Sequence, residues 1–129
     1  SAIVLTAVLL SIEQCKYLTS LAHQLGMEVA LKLYTIEEID YLECDVDLII
    51  INNRIACSFD MDVNKSFEFA KLLPNDCIKV SEGGIYTPEK AKELSDVGFQ
   101  GIIIGDLFMK TANPGYALGE FIKGIKKEN

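Results

Sequence analysis

Residues 77–89 read Cys77-Ile78-Lys79-Val80-Ser81-Glu82-Gly83-Gly84-Ile85-Tyr86-Thr87-Pro88-Glu89. A short apolar run, Cys77–Ser81, has the composition of a strand. A carboxylate and two glycines follow it, and a helix opens with Thr87 as N-cap and Pro88 at its first position. That helix closes at Gly98. Strand, glycine turn and capped helix make one βα unit, and the same order recurs on both sides of it.

Upstream, Ala2–Leu10 is nearly continuous apolar residues, as in a strand buried on both faces. Ser11-Ile12-Glu13-Gln14 then has the form of a capping box. Cys15, Leu18, Leu21, Ala22 and Leu25 share one helix face behind it, and Gly26 supplies a left-handed stop. Glu28–Tyr34 is the second strand, followed by a capping box at Thr35-Ile36-Glu37-Glu38. Asp47–Ile51 is the third, followed by a polar loop and a helix from Asp62 to Leu73, stopped by Pro74. Downstream, Gln100–Ile104 is the fifth strand, and a last helix runs from Gly115 to Lys126. Strands separated by one helix each imply right-handed crossovers and a parallel sheet. A (βα) barrel segment and an open doubly wound sheet both satisfy that pattern. No linker or low-complexity stretch divides the chain, so residues 1–129 are read as one domain.

The chain has 129 residues, half of them hydrophobic, which excludes disorder and suffices for a core. Twelve Lys and Arg against nineteen Asp and Glu give a net charge of −7. Such an acidic chain is not expected to seek a nucleic-acid backbone or an anionic membrane surface. No apolar run reaches the length of a membrane span, and the opening Ser1–Leu5 has no basic stretch of the kind that starts a signal peptide. Cys15, Cys44, Cys57 and Cys77 contain no C-x-x-C pair, and His23 lies inside a helical pattern. Zinc and a disulfide framework are therefore not expected, and reduced thiols in a cytoplasmic protein are.

In either architecture ligands bind at the C-terminal ends of the strands. The second strand carries Lys32 inside an apolar pattern, where an unpaired charge is costly. It either lies at the rim with its head in solvent or points into a site. The third strand ends in Ile51-Asn52-Asn53-Arg54, where asparagines either satisfy turn backbone or face a ligand. The fourth ends in Glu82-Gly83-Gly84, and the fifth in Gly105-Asp106 opening a short helix. Bare glycine amides and a helix start suit an oxygen-rich anion. Two glycine turns after the last two strands also match the phosphate site usual in (βα)8 barrels.

The runs Ile51–Arg54, Val80–Glu89 and Ile104–Met109, with Asn113-Pro114-Gly115 beyond, resemble indole-3-glycerol phosphate synthase of tryptophan biosynthesis. The resemblance extends from Ala2 to the end of the chain and covers the fourth to eighth strands of that barrel, so it implies a partial (βα)8 fold of five βα units. It implies a lyase that converts 1-(2-carboxyphenylamino)-1-deoxyribulose 5-phosphate into indole-3-glycerol phosphate, with loss of CO2 and water. Asn52 is similar to the asparagine near the anthranilate ring and ribulose, and Arg54 to an arginine supporting that region. Glu82 matches a glutamate at the sugar. Gly84 and Gly105 match phosphate-binding backbone positions, and Gly83 and Asp106 stand where other members carry Ser or Glu. No metal and no organic cofactor is implied, because acid–base chemistry and a phosphate grip suffice.

Two departures stand out. Lys32 occupies the place of a catalytic glutamate, reversing its charge. Ile55-Ala56 replaces a polar residue and leucine. The family's two catalytic lysines belong to its first and third strands, outside the matched part. An isolated chain is thus expected to be inactive. The alternative reading is a degenerate or truncated half-barrel that binds a phosphorylated small molecule without chemistry. A receiver-like module would need acidic residues after its first strand and an aspartate ending its third, and Leu10-Ser11 and Ile51-Asn52 do not supply them. Five strands leave two apolar edges, which attract other chains. The expected outcome is a flatter doubly wound sheet, or pairing with an N-terminal half-barrel or a second copy.

Overall fold

A computed structural model describes residues 1–55 and 58–127. Ala56 and Cys57 lie outside the described residues, so the Ile55-Ala56 departure is described only at Ile55. Five parallel strands form one sheet in the order β1-β2-β3-β4-β5: Ala2–Thr6, Glu28–Leu33, Leu48–Asn52, Ile78–Glu82 and Gly101–Ile103. Each strand pairs with the next in the chain. A doubly wound sheet starts in its middle and reverses, so this sequential order decides for a barrel segment and against the flatter rearrangement.

The helices are α1 (Ile12–Gln24), α2 (Asn64–Ala70), α3 (Pro88–Asp96), α4 (Asp106–Met109) and α5 (Pro114–Lys127). Capping sets two of their starts. The Ser11 hydroxyl accepts from the Gln14 amide while the Gln14 side chain accepts from the Ser11 amide. The Thr87 hydroxyl accepts from the Lys90 amide, with Pro88 at the first helical position and no return bond. The Thr35–Glu38 box is also present, but it opens a 3₁₀ helix, Ile36–Glu43, rather than an α-helix. Among the described residues no helix is long and apolar enough to cross a membrane.

Register assigns the two faces of the sheet. Leu5, Leu31 and Ile49 stand in one row, and Leu33, Ile51 and Ser81 in the next. Both rows face the helices, and their apolar side chains meet Cys15, Ala22, Phe69 and Leu94 in a single buried cluster. Each fully buried aliphatic contributes roughly 1.5–3 kcal/mol. The opposite face, which would line a barrel interior, carries Val4, Ala30, Lys32, Ile50, Asn52, Val80 and Glu82.

Most boundaries shift by only a residue or two from the sequence reading, but two elements differ by more. The first strand ends at Thr6, not Leu10, and a 3₁₀ turn at Ala7–Leu9 follows. It is not buried on both faces, because it is an edge strand with Val4 exposed on the interior side. The helix expected over Asp62–Leu73 is regular only over Asn64–Ala70.

Candidate functional site

Lys32, Asn52 and Glu82 come from three adjacent strands, and alternation along each strand points all three to the interior face. Asn52 and Glu82 are direct neighbours in register, whereas Lys32 sits opposite Ile50, lower in the sheet. The long lysine side chain makes up that difference. Its Nζ lies 3.0 Å from Glu82 Oε1 and 3.3 Å from Oε2, so the ammonium straddles the carboxylate. Asn52 Nδ2 donates to the same Oε1 at 2.5 Å. The Arg54 amide donates to Asn52 Oδ1 at 2.9 Å, which fixes which end of the Asn52 amide faces Glu82. Lys32 thus points into the site and does not lie at the rim.

Next to this cluster lies a cavity of about 220 Å³, and Asn52, Glu82, Gly83, Gly84, Gly105 and Asp106 all line it. Gly83 and Gly84 have φ of +96° and +72°, a region L side chains rarely adopt. Met61 lies against both: a Cβ on Gly83 would come 2.9 Å from its Sδ. The Gly83 amide donates to the Ile103 carbonyl at 3.3 Å, so it is occupied by the sheet. Among the described residues the amides of Gly84, Gly105 and Asp106 have no hydrogen-bond partner, which leaves them open to an anion. The Asp106 side chain is exposed and opposes such an anion by its charge.

Arg54 is not drawn into this cavity. Its guanidinium sits 5.7 Å from the centroid of the exposed Phe59 ring, in a hairpin that leaves the end of β3. The hairpin is tied by Ile55 N to Asp60 O, Asp62 N to Asn53 O and an antiparallel bridge between Arg54 and Met61. Lys65 donates to the Arg54 carbonyl at 2.6 Å, and its partial burial lowers its pKa.

Asn53 takes a role its sequence position did not reveal. It alternates to the helix side, fully buried, where its Nδ2 donates to Ser81 Oγ at 2.9 Å and to the Gly83 carbonyl at 2.8 Å. Ser66 of α2 donates to Asn53 Oδ1 at 2.8 Å and lies 2.6 Å from Ser81 Oγ. This triad joins the ends of β3 and β4 to α2 and holds the first glycine of the cradle. A larger groove of about 530 Å³ lies on the outer surface, lined by Lys16, Thr19, His23 and Glu43, away from the strand ends.

The sequence profile of the indole-3-glycerol phosphate synthase family matches residues 1–121. The chain belongs to that family. The indole-3-glycerol phosphate synthase of Bacteroides thetaiotaomicron is 45% identical over 125 residues, covering 97% of this chain and 48% of that protein. Those of Verminephrobacter eiseniae and Lachnoclostridium phytofermentans are 34% and 31% identical, covering 91% and 86% of the chain. The chain spans about half the length of these curated relatives. Among solved structures, the N-acetylmannosamine-6-phosphate 2-epimerase of Clostridium perfringens superposes with a TM-score of 0.62 at 20% identity over 96% of this chain and 56% of its own. The BexX/CysO complex of Amycolatopsis orientalis gives 0.64 at 14%, over 91% and 47%. At such identities these two speak for the fold alone. Within the family fold, Lys32, Asn52, Glu82 and the two glycine turns all sit at the C-terminal ends of the strands, where barrels bind ligands.

Proposed function

We propose that this chain forms the fourth to eighth βα units of an indole-3-glycerol phosphate synthase. In a completed barrel it binds 1-(2-carboxyphenylamino)-1-deoxyribulose 5-phosphate and closes the indole ring, releasing the carboxylate as CO2 and the ketone oxygen as water. The observation that carries this reading is Glu82, hydrogen-bonded by Asn52 beside the glycine cradle in one cavity. Glu82 and Asn52 take the sugar and the reacting carbons. Gly84, Gly105 and Asp106 offer amides to the phosphate, with Gly83 shaping the turn, and Arg54 serves the anthranilate end once it leaves Phe59. Acid–base chemistry and this grip need no metal or organic cofactor. The family's catalytic lysines belong to its first and third strands, so the isolated chain is inactive. The setting that fits such an enzyme with reduced cysteines is the cytoplasm.

One observation favours a second reading, a phosphate-ligand binder without turnover. Lys32 engages both oxygens of Glu82, which leaves that carboxylate little capacity to accept a proton from substrate. Co-expression with the first three βα units of the Bacteroides thetaiotaomicron enzyme tests both readings. Formation of indole-3-glycerol phosphate, lost in Glu82→Gln, supports the enzyme. Binding of the substrate with no turnover supports the binder, and neither binding nor turnover refutes both.

A further inference from the structure

The glycine turn after β4 has an apolar wall that comes from another part of the chain. Met61 belongs to the hairpin that leaves the end of β3, and it lines the cavity together with Glu82, Gly83 and Gly84. A Cβ on Gly83 would stand 2.9 Å from its Sδ, and one on Gly84 would stand 3.1 Å from its Cβ. Both distances are tighter than ordinary van der Waals contact, so residue 61 fills the space that side chains at 83 and 84 would take. The core does not need it there. Among the described residues, Val63 and Phe67 pack against the buried core cluster and Met61 does not.

The root of this side chain is fixed. Met61 pairs with Arg54 in an antiparallel bridge, Ile55 N donates to Asp60 O at 2.8 Å, and Asp62 N donates to Asn53 O at 2.7 Å. Backbone bonds thus hold the chain on both sides of residue 61, and Asn53 is itself anchored in the buried triad with Ser66 and Ser81. Beyond Cβ the unbranched thioether adapts its shape, but it offers no N–H or O–H to an anion.

Positive charge in this cavity is scarce. Among the described residues no Lys or Arg lines it, whereas Glu82 and Asp106 do, and Lys32 is held by both oxygens of Glu82. Backbone amides, that of Gly84 first, are what remains for an anion. A volume of about 220 Å³ is room for about seven waters at roughly 30 Å³ each. One phosphorus with its four oxygens fits that space. Two linked phosphates overfill it and bring further negative charge that no cation in the lining answers. Resting on the phosphate grip proposed above, we infer that Met61 is a specificity-determining residue that restricts the cradle to a ligand ending in a single phosphate and excludes a diphosphate. It acts by occupying the space a second phosphate needs, so the selectivity comes from what the wall refuses.

Amide NMR titrations of the chain with inorganic phosphate and, separately, with pyrophosphate test this, read at Gly84. The expected result is a Gly84 shift that saturates with phosphate at a concentration roughly tenfold below that needed with pyrophosphate, although pyrophosphate carries more charge. Met61→Ala opens the wall and narrows that ratio roughly fivefold by strengthening pyrophosphate, while Met61→Leu, of similar volume, keeps it. The Asn53 signals report in each variant whether the hairpin and its triad are intact. The ratio in the unmutated chain keeps the inference open to refutation without any variant. Pyrophosphate binding at Gly84 as tightly as phosphate, or a ratio that Met61→Ala leaves unmoved, would overturn the inference and leave the phosphate grip standing. No shift at Gly84 with either anion would refute that grip, and the inference with it.

Discussion

Asn53→Ala is expected to damage both stability and the glycine cradle. Asn53 is 0% exposed and its amide makes three hydrogen bonds, to Ser81 Oγ, to the Gly83 carbonyl and from Ser66 Oγ. After truncation Ser66 and Ser81 still bond each other at 2.6 Å, but the Gly83 carbonyl and one serine position lose a partner. A buried polar group left unsatisfied costs about 1–3 kcal/mol, so two of them cost about 2–6 kcal/mol before any cavity is counted. At roughly 4 °C per kcal/mol for a domain of this size, the midpoint of thermal unfolding falls by about 8–24 °C. Circular dichroism gives that midpoint, and amide NMR reports whether Gly83 and Gly84 shift. The neighbouring Asn52→Ala serves as the contrast. Asn52 faces the interior and bonds Glu82 and the Arg54 amide beside a cavity open to water, so its loss costs about 1 kcal/mol. Equal effects at the two positions, or a fall below 3 °C with unmoved glycine signals, would refute the division of labour between the asparagines.

Four further outcomes are expected. Lys79 is 2% exposed on the helix side, with its Nζ 3.5 Å from the Cys77 carbonyl; Lys79→Met keeps the volume, removes a buried charge and raises chemical-denaturation stability by about 1 kcal/mol or more. Asp47 is held below the ordinary aspartate range, first by its hydrogen bond with His23 and then by the Val29 amide. Its stabilisation is therefore complete above the ordinary value of about 3.9 and disappears as pH falls through the lower folded value, so Asp47→Asn flattens the acid side of a stability–pH profile. Burial, and then the Cys15 thiol beside it, push Cys44 up to about 12, so native protein at neutral pH leaves Cys44 unmodified by a disulfide reagent that labels it once unfolded. Lys32→Glu sets two carboxylates against each other and lowers the melting temperature, and the exchange Lys32→Glu/Glu82→Lys recovers it, with a coupling of about 1–2 kcal/mol in the double-mutant cycle.

The fold was legible because each unit carries its own local signals. Ser11, Thr35 and Thr87 each announce a helical segment, and each caps one in the structure. Periodicity could not say whether the strands run in barrel order or reverse mid-sheet, because that depends on which strands pair, and pairing is a contact between residues far apart in sequence. The overrun of β1 has the same origin. Ala7–Leu9 are as apolar as the strand before them, yet a 3₁₀ turn interrupts the run, with the Leu10 amide donating to the Ala7 carbonyl. Composition cannot separate apolar residues that extend from apolar residues that turn.

The site was legible where function depends on backbone and opaque where it depends on parity. Gly83 and Gly84 advertise positive φ directly, since few other residues tolerate it. Asn52 and Asn53 are identical letters side by side, and only the alternation of a strand sends the first to the interior face beside Glu82 and the second to the core. One residue of slip would exchange their roles. The same parity separates the two lysines of the sheet. Lys32 shares its face with Glu82 and is neutralised there, while Lys79 occupies the row of Ile49 and faces the helices. A carboxylate was therefore needed opposite Lys32, two strands away, before its charge could be borne inside. Glu82 meets that need only because β3 places Asn52 between them, donating to Glu82 Oε1, the oxygen nearer to Lys32. Lys32 and Glu82 thus form a closed ion pair at the strand ends. Under the function proposed above, an anionic group of the substrate competes with Glu82 for Lys32, and the strength of that ion pair sets how readily Glu82 is freed.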